Sequence, residues 1–377
     1  MLIVVGNMRG GTTAVSATNS LASTNSASSK HVLTPEQQGQ VEFDSGVALM
    51  RDRKYGGAAE AFQRAVADNP NFAEAYNNWG ICLVQLGKQN PGEQQLKQYQ
   101  AAAEKFDTAA RLKPAERITY MLWSETLVLI GDLPVDNRLR LACYRGAVEK
   151  CRKAVELGPA EWEPYNKWGA ILSTKLVDFA VDDKARLQVC KDAAELFGKA
   201  AERARFSSEL GPAYANWASA LVRAAKLTND VDEKKSLLRE ALGKFNLSAR
   251  AVASAAATYA MWGSAYLELG KLSRLRSDFR DGIDKLNVSL TLDPKNPAPV
   301  YNLACAYALM DNGVLAVQTL KQCFDLDVNN TYRTLAPSDP DLASLHSDRG
   351  FQDLFGGNGG PSGGIPASNP PLSDRPR

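Results

Sequence analysis

Imidazole is the scarcest reactive group in this sequence, whose 377 residues include two histidines, His31 and His346. A catalytic triad or a histidine-held metal would have to be built on one of them, which argues against both. The six cysteines, Cys82, Cys143, Cys151, Cys190, Cys305 and Cys323, are dispersed and form no C-x-x-C pair. They suggest neither a zinc site nor a disulfide framework and read as small apolar filler in a reducing compartment. Carboxylates adjoin at Asp182-Asp183 and at Asp230 with Asp232. An acid–base pair needs burial to hold its two pKa values apart, and these lie in polar inserts where solvation is the expected state. The glycine cluster that begins at Gly356 follows no strand and opens no helix, so it is no phosphate cradle. No cofactor, metal or catalytic residue is expected, and the chain reads as a non-enzyme.

What does recur is aromatic. Tyr, two residues, Trp and then a small residue appear as Tyr76-Asn77-Asn78-Trp79-Gly80, Tyr120 to Ser124, Tyr165 to Gly169, Tyr214 to Ala218 and Tyr259 to Gly263. Weaker versions flank these at Glu42 to Gly46 and Val300 to Ala304. Each is followed by a small residue, a bulky one four later and a small one three after that, as in Ala58, Phe62 and Ala65 or Ala241, Phe245 and Ser248. Several copies close on proline, at Pro70, Pro114, Pro159 and Pro294. Fixed spacing beside a small residue makes the tryptophans packing groups between helices rather than a stacking platform for bases or sugars.

The elements that must position these residues are helices. From Thr34 to about Phe355 apolar residues recur at spacings of three and four, with no sustained two-residue alternation, so the core is predicted to be all-α. Thr34-Pro35-Glu36-Gln37 is a helix start, with Thr34 as cap, Pro35 in the first turn and Gln37 completing a capping box. Residues 1–33 carry Ser, Thr, Ala and Gly but no Asp or Glu, and are expected to be a disordered leader or a transit segment. Residues 356–377 alternate Gly and Pro and are expected to be a flexible tail.

The repeat resembles the tetratricopeptide repeat family, whose unit is a pair of helices with aromatic and small residues in the first and alanine with an aromatic in the second. The resemblance implies an α-solenoid, a right-handed superhelix of about seven helix pairs over residues 34–328, closed by a capping helix within residues 329–355. One pair cannot hide its apolar face, whereas stacked pairs can. The interval between successive small residues is 34 from Gly46 to Gly80 and 41 to 49 afterwards. The extra residues fall mostly inside each pair, as between Lys88 and Gln98 or Leu227 and Leu238. They predict lengthened second helices together with longer edge loops.

In that family the first helices line a concave groove that receives peptides. Carried over by position, the groove residues would be Asn77, Asn78 and Ile81; Asn166, Lys167 and Thr174; Asn216, Ser219 and Arg223; Ser264; and Tyr301, Asn302 and Cys305. A groove amide both donates and accepts, and so can bracket a peptide backbone without reading its sequence. The family's clamp for chaperone C-terminal tails is missing, because Phe43, Val47, Ile118 and Leu122 stand where its basic and amide residues belong.

The expected function is a non-catalytic scaffold or adaptor for a protein or peptide partner. The alternatives are an organelle assembly factor for a multiprotein complex and an enzyme with a site in the inserts. A net charge of +2 argues against nucleic acid. No apolar stretch is long enough to span a membrane. The expected compartment is the cytosol, or a plastid or mitochondrion if residues 1–33 are a transit segment.

Overall fold

The computed structural model describes residues 33–355, and the leader (apart from Leu33) and the tail lie outside the described residues. Among these the structure is all-α, and consecutive helices pack in antiparallel pairs, as the repeat predicts. The chain divides into two compact units, Met1–Ile171 and Leu172–Arg377.

The first unit holds α1 (Pro35–Arg51), α2 (Tyr55–Asp68), α3 (Ala73–Gln89), α4 (Glu93–Leu112), α5 (Arg117–Asp132), α6 (Asn137–Leu157) and α7 (Trp162–Ile171). Thr34 caps α1 with the expected capping box, and the Asp136 carboxylate caps α6 by accepting from the Leu139 amide at 2.9 Å. Small and bulky residues meet across each pair. A methyl group at Gly46 would stand 2.7 Å from the Phe62 ring, and one at Gly80 would stand 2.7 Å from Phe106. In the third pair Ser124 takes that place and donates to the Ala147 carbonyl at 2.9 Å. The signature tyrosines also have a task, since Tyr120 Oη donates to the Pro114 carbonyl and Tyr165 Oη to that of Pro159. Each ties the start of a first helix to the end of the preceding pair.

The second unit opens on a π-helical turn, Leu172–Leu176, and a 3-10 turn, Val177–Phe179. It continues with α8 (Asp183–Arg203), α9 (Ser207–Leu227), α10 (Val231–Ala251), α11 (Ala256–Ser273), α12 (Arg276–Leu292), α13 (Pro297–Leu309) and α14 (Gly313–Leu326). The insert acids explain themselves here: Asp182 accepts from the Ala185 amide and Asp230 from the amides of Asp232 and Glu233, so both begin helices. Gly263 meets Leu286 as Gly80 meets Phe106. Where the last small residue of a second helix is polar, it donates to its first helix, Ser248 to the Gly211 carbonyl and Ser289 to that of Ala256. The chain then closes through α15 (Thr331–Leu335), two 3-10 turns (Ala336–Ser338 and Pro340–Leu345) and α16 (Arg349–Asp353). Leu342, Leu345 and Phe351 of this segment are buried against α13 and α14.

The expectation of longer edge loops is met only between α7 and α8, where residues 172–182 run through the π-helical and 3-10 turns. In four other pairs the connections span only residues 90–92, 133–136, 228–230 and 274–275, and the extra length is helix. Its physical reason is a second layer of contact one heptad further on. A methyl group at Gly87 would stand 2.4 Å from Tyr99, one at Gly131 2.5 Å from Tyr144, and one at Gly270 3.0 Å from Phe279. Each glycine lies seven residues after the first-layer residue, and each ring seven before its first-layer partner. Two turns of helix give both layers the same face.

Candidate functional site

From α3 to α12 the first helix of each pair carries fewer charges than the second. No residue of α13 is charged, whereas α6 holds Arg138, Arg140, Arg145, Lys150, Arg152 and Lys153 with Glu149 and Glu156. Polar side chains of successive first helices join one another at intervals of about forty residues. In the first unit, Asn77 Nδ2 donates to Thr119 Oγ1 at 2.8 Å, and Lys167 Nζ donates to Glu125 Oε2 at 3.1 Å. In the second, Ser219 Oγ lies 3.3 Å from Met261 Sδ, and Asn302 Nδ2 donates to Ser264 Oγ at 2.8 Å. The proposed groove residues therefore build a row of rungs from one first helix to the next.

Their exposure sorts them. Asn166, Lys167, Thr174, Asn216, Ser219, Arg223, Ser264 and Asn302 keep part of their surface in solvent. Asn77, Asn78, Ile81, Tyr301 and Cys305 do not, and their expected place on an open groove wall is corrected. Asn77 is taken up by the α5 hydroxyl of Thr119, and Asn78 has no accessible surface. Tyr301 and Cys305 lie under the chain's own closing segment, where Tyr301 Oη donates to Asp339 Oδ2 at 2.8 Å and the ring packs 4.8 Å from that of Tyr332. Thr174 falls in the π-helical turn rather than on a regular helix, a distortion that sequence periodicity does not reveal.

Cys305, Asp339 and Asp341 bring their donor atoms within 4.8 Å of one another. A cation is already at hand, because Lys271 Nζ stands 3.0 Å from Asp341 and 3.1 Å from Glu268. The cluster is a latch that fastens the closing segment to α11. Burial pulls the Lys271 ammonium down, but Glu268 and Asp341 outweigh it and hold the pKa above the ordinary lysine value. Burial, together with the nearby Asp339 and Glu268 carboxylates, holds Asp341 above the ordinary carboxylate value although Lys271 draws it down.

The buried cysteines are poor nucleophiles. Burial pushes Cys82 and Cys323 up to about 12 and Cys151 and Cys190 to about 11, with Arg223 moderating the rise at Cys190. Arg223 makes no ion pair among the described residues, which leaves a half-buried guanidinium on the first-helix face.

Sequence reasoning missed what happens at the tryptophans. Lys105 lies over Trp79 at 4.2 Å from the ring centre, Lys150 over Trp123 at 3.7 Å, Lys244 over Trp217 at 3.4 Å and Lys285 over Trp262 at 4.5 Å. The signature Tyr stacks on the same Trp at 6.4 Å for Tyr76, 6.5 Å for Tyr214 and 6.0 Å for Tyr259. The available signal was a lysine immediately before the bulky residue of the second helix, at Lys105-Phe106, Lys150-Cys151, Lys244-Phe245 and Lys285-Leu286.

No family model matches the chain, and no curated protein matches it. Among solved structures, it is similar to a tetratricopeptide repeat protein from Parabacteroides merdae, at 12% identity and TM-score 0.47, over 79% of this chain and 97% of that one. YrrB, described as a tetratricopeptide repeat protein with an unusual peptide-binding site, is 16% identical with TM-score 0.42, over 63% of this chain and 100% of its own. A thermophilic tetratricopeptide repeat protein of Thermus thermophilus is 18% identical with TM-score 0.37, over 61% of this chain and 99% of that one. The resemblance to that family stands on the helix pairs themselves: the small residue against the bulky one, the Tyr–Trp stack, and the proline carbonyl that accepts from the next pair's tyrosine. The class these define is a repeat protein of helical hairpins. Among the described residues no helix is long and apolar enough to cross a membrane.

Proposed function

We propose that the chain is a non-catalytic scaffold that holds a partner polypeptide on the faces of its first helices. The observation that supports this reading is the division of labour between the two helices of each pair. Charge is gathered on the second helices, while the first helices present half-exposed amides and hydroxyls at Asn166, Asn216, Ser219, Ser264 and Asn302. Such groups bracket an extended backbone by donating and accepting. Arg223 adds a cation where acidic side chains of the partner would find little competition.

Affinity purification from the native source tests it, comparing wild type with a variant carrying Asn216→Ala, Arg223→Ala and Asn302→Ala. The variant is expected to recover less than about a tenth of the partner, since each lost contact weakens binding by about 1 kcal/mol or more. Recovery equal to wild type, with unchanged helicity, removes the reading.

A further inference from the structure

The within-pair turns of the second unit carry a row of exposed apolar side chains that packing does not explain. Val181 is 93% exposed, Val231 51%, Leu275 56% and Val314 69%. Each stands at or beside the start of a second helix, ahead of α8, α10, α12 and α14 in turn. Because the helices of a pair are antiparallel, all four turns lie on one edge of the unit, one apolar side chain per pair. A single exposed valine is ordinary; four placed one per pair along one edge call for a common explanation.

The charges beside the row are ordered along it. Around Val181 and Val231 the exposed ones are Asp178, Asp182, Asp183, Asp230 and Asp232 against Lys184 and Lys226, whereas Arg274 and Arg276 flank Leu275. Asp311, before Val314, is 3.6 Å from Arg276. Arg274 holds φ 58° and Asp311 φ 61°, the left-handed region where glycine would be cheaper by about 1 kcal/mol.

We propose that this edge binds a second copy of the chain about a two-fold axis that crosses the row between Val231 and Leu275. An isologous contact needs a patch that complements itself when turned end for end. Here Val231 meets Leu275 of the second copy, Val181 meets Val314, and Asp230 and Asp232 face Arg274 and Arg276 across the axis; at the two ends Asp311 meets Lys184 together with Asp182 and Asp183, so the charge match is carried by the centre of the contact. The surface is separate from the first-helix face, so it stands or falls independently of the scaffold reading.

Sedimentation equilibrium of the full chain across a wide concentration range is the test. Wild type is expected to form a dimer. Leu275→Asp should raise the dissociation constant by at least about 30-fold, as loss of a buried anchor does. In a second experiment that does not depend on that variant folding, R274D/R276D and D230N/D232R are each expected to be monomeric alone and to form a heterodimer when mixed. A wild-type chain that stays monomeric throughout overturns the proposal and leaves the row to another partner. So does a dimer that neither charge variant weakens, or a mixture that fails to associate.

Discussion

Alanine at Gly263 puts the account of the helix pairs to its sharpest test. Glycine inside a helix costs about 1 kcal/mol relative to alanine, so propensity alone favours the substitution. The structure opposes it, because the new methyl would stand 2.6 Å from Leu286 Cγ, a fully buried side chain, and 2.9 Å from the Gly282 carbonyl oxygen. Gly282 is itself pressed against α11, where a methyl would lie 3.1 Å from the Gly263 carbonyl oxygen, so the backbones have no room to part locally. Overpacking of this kind costs about 1–3 kcal/mol, and the larger end applies when backbone must move. The expected net effect is a loss of about 1–2 kcal/mol. Gly243, in α10 with nothing within 4 Å of a built methyl, is the control, and Gly243→Ala should gain about 1 kcal/mol. Urea unfolding followed by circular dichroism separates the two by about 2–3 kcal/mol. Leu286→Ala in the same chain should make Gly263→Ala less harmful, a coupling of at least about 0.5 kcal/mol. If Gly263→Ala is as stabilising as Gly243→Ala, close approach is not what the small residue is for.

Lys271→Met should destabilise the closing segment by about 3 kcal/mol, because it leaves Asp341 and Glu268 without a cation, and both Lys271 and Asp341 are less than a third exposed. The sign with pH follows from the raised lysine pKa: the stabilisation is complete below the ordinary lysine value and is lost as pH rises through the folded one. Thermal melts of wild type and variant should therefore converge under strongly alkaline conditions, and a gap that widens there contradicts the latch. Asp341, also raised, contributes a slope of the same sign in the acid range, its burial costing stability as pH rises through its titration. Lys244→Met removes the cation 3.4 Å from the Trp217 ring and should cost about 0.5–1 kcal/mol, while Lys244→Arg should cost less. Urea midpoints check this. All six cysteines are buried, and thiol reagents at neutral pH should label them only as fast as the protein opens, so rapid modification of the native chain would contradict their placement.

Periodicity made the first contact layer legible. Gly80 facing Phe106, Ser124 facing Cys151, and Thr34 capping α1 all follow from spacing within one pair, because a helix repeats its faces every three or four residues. What lies between pairs was not legible. The sequence places Asn77 and Asn78 on the first helix, but only the approach of α5 decides that Thr119 takes the Asn77 amide and that both are buried. Tyr301 and Asp339 are separated by the rest of α13, all of α14 and part of the closing segment, so no local pattern links them. The second contact layer was readable in principle, since Gly87, Gly131 and Gly270 each follow a signature small residue by seven. An insertion in the sequence looks like a loop until the periodicity of both flanking helices is examined together.

That second layer restricts how this architecture can grow. A hairpin lengthened on one arm alone would leave a ring such as Tyr99 or Tyr144 with no notch opposite it, so both arms must extend together. An indel of one or two residues in either arm would rotate every outer group away from its mate. Among natural variants, length changes should therefore be shared between the two arms, and hairpins of unequal reach should border one another without any shift in the inner register.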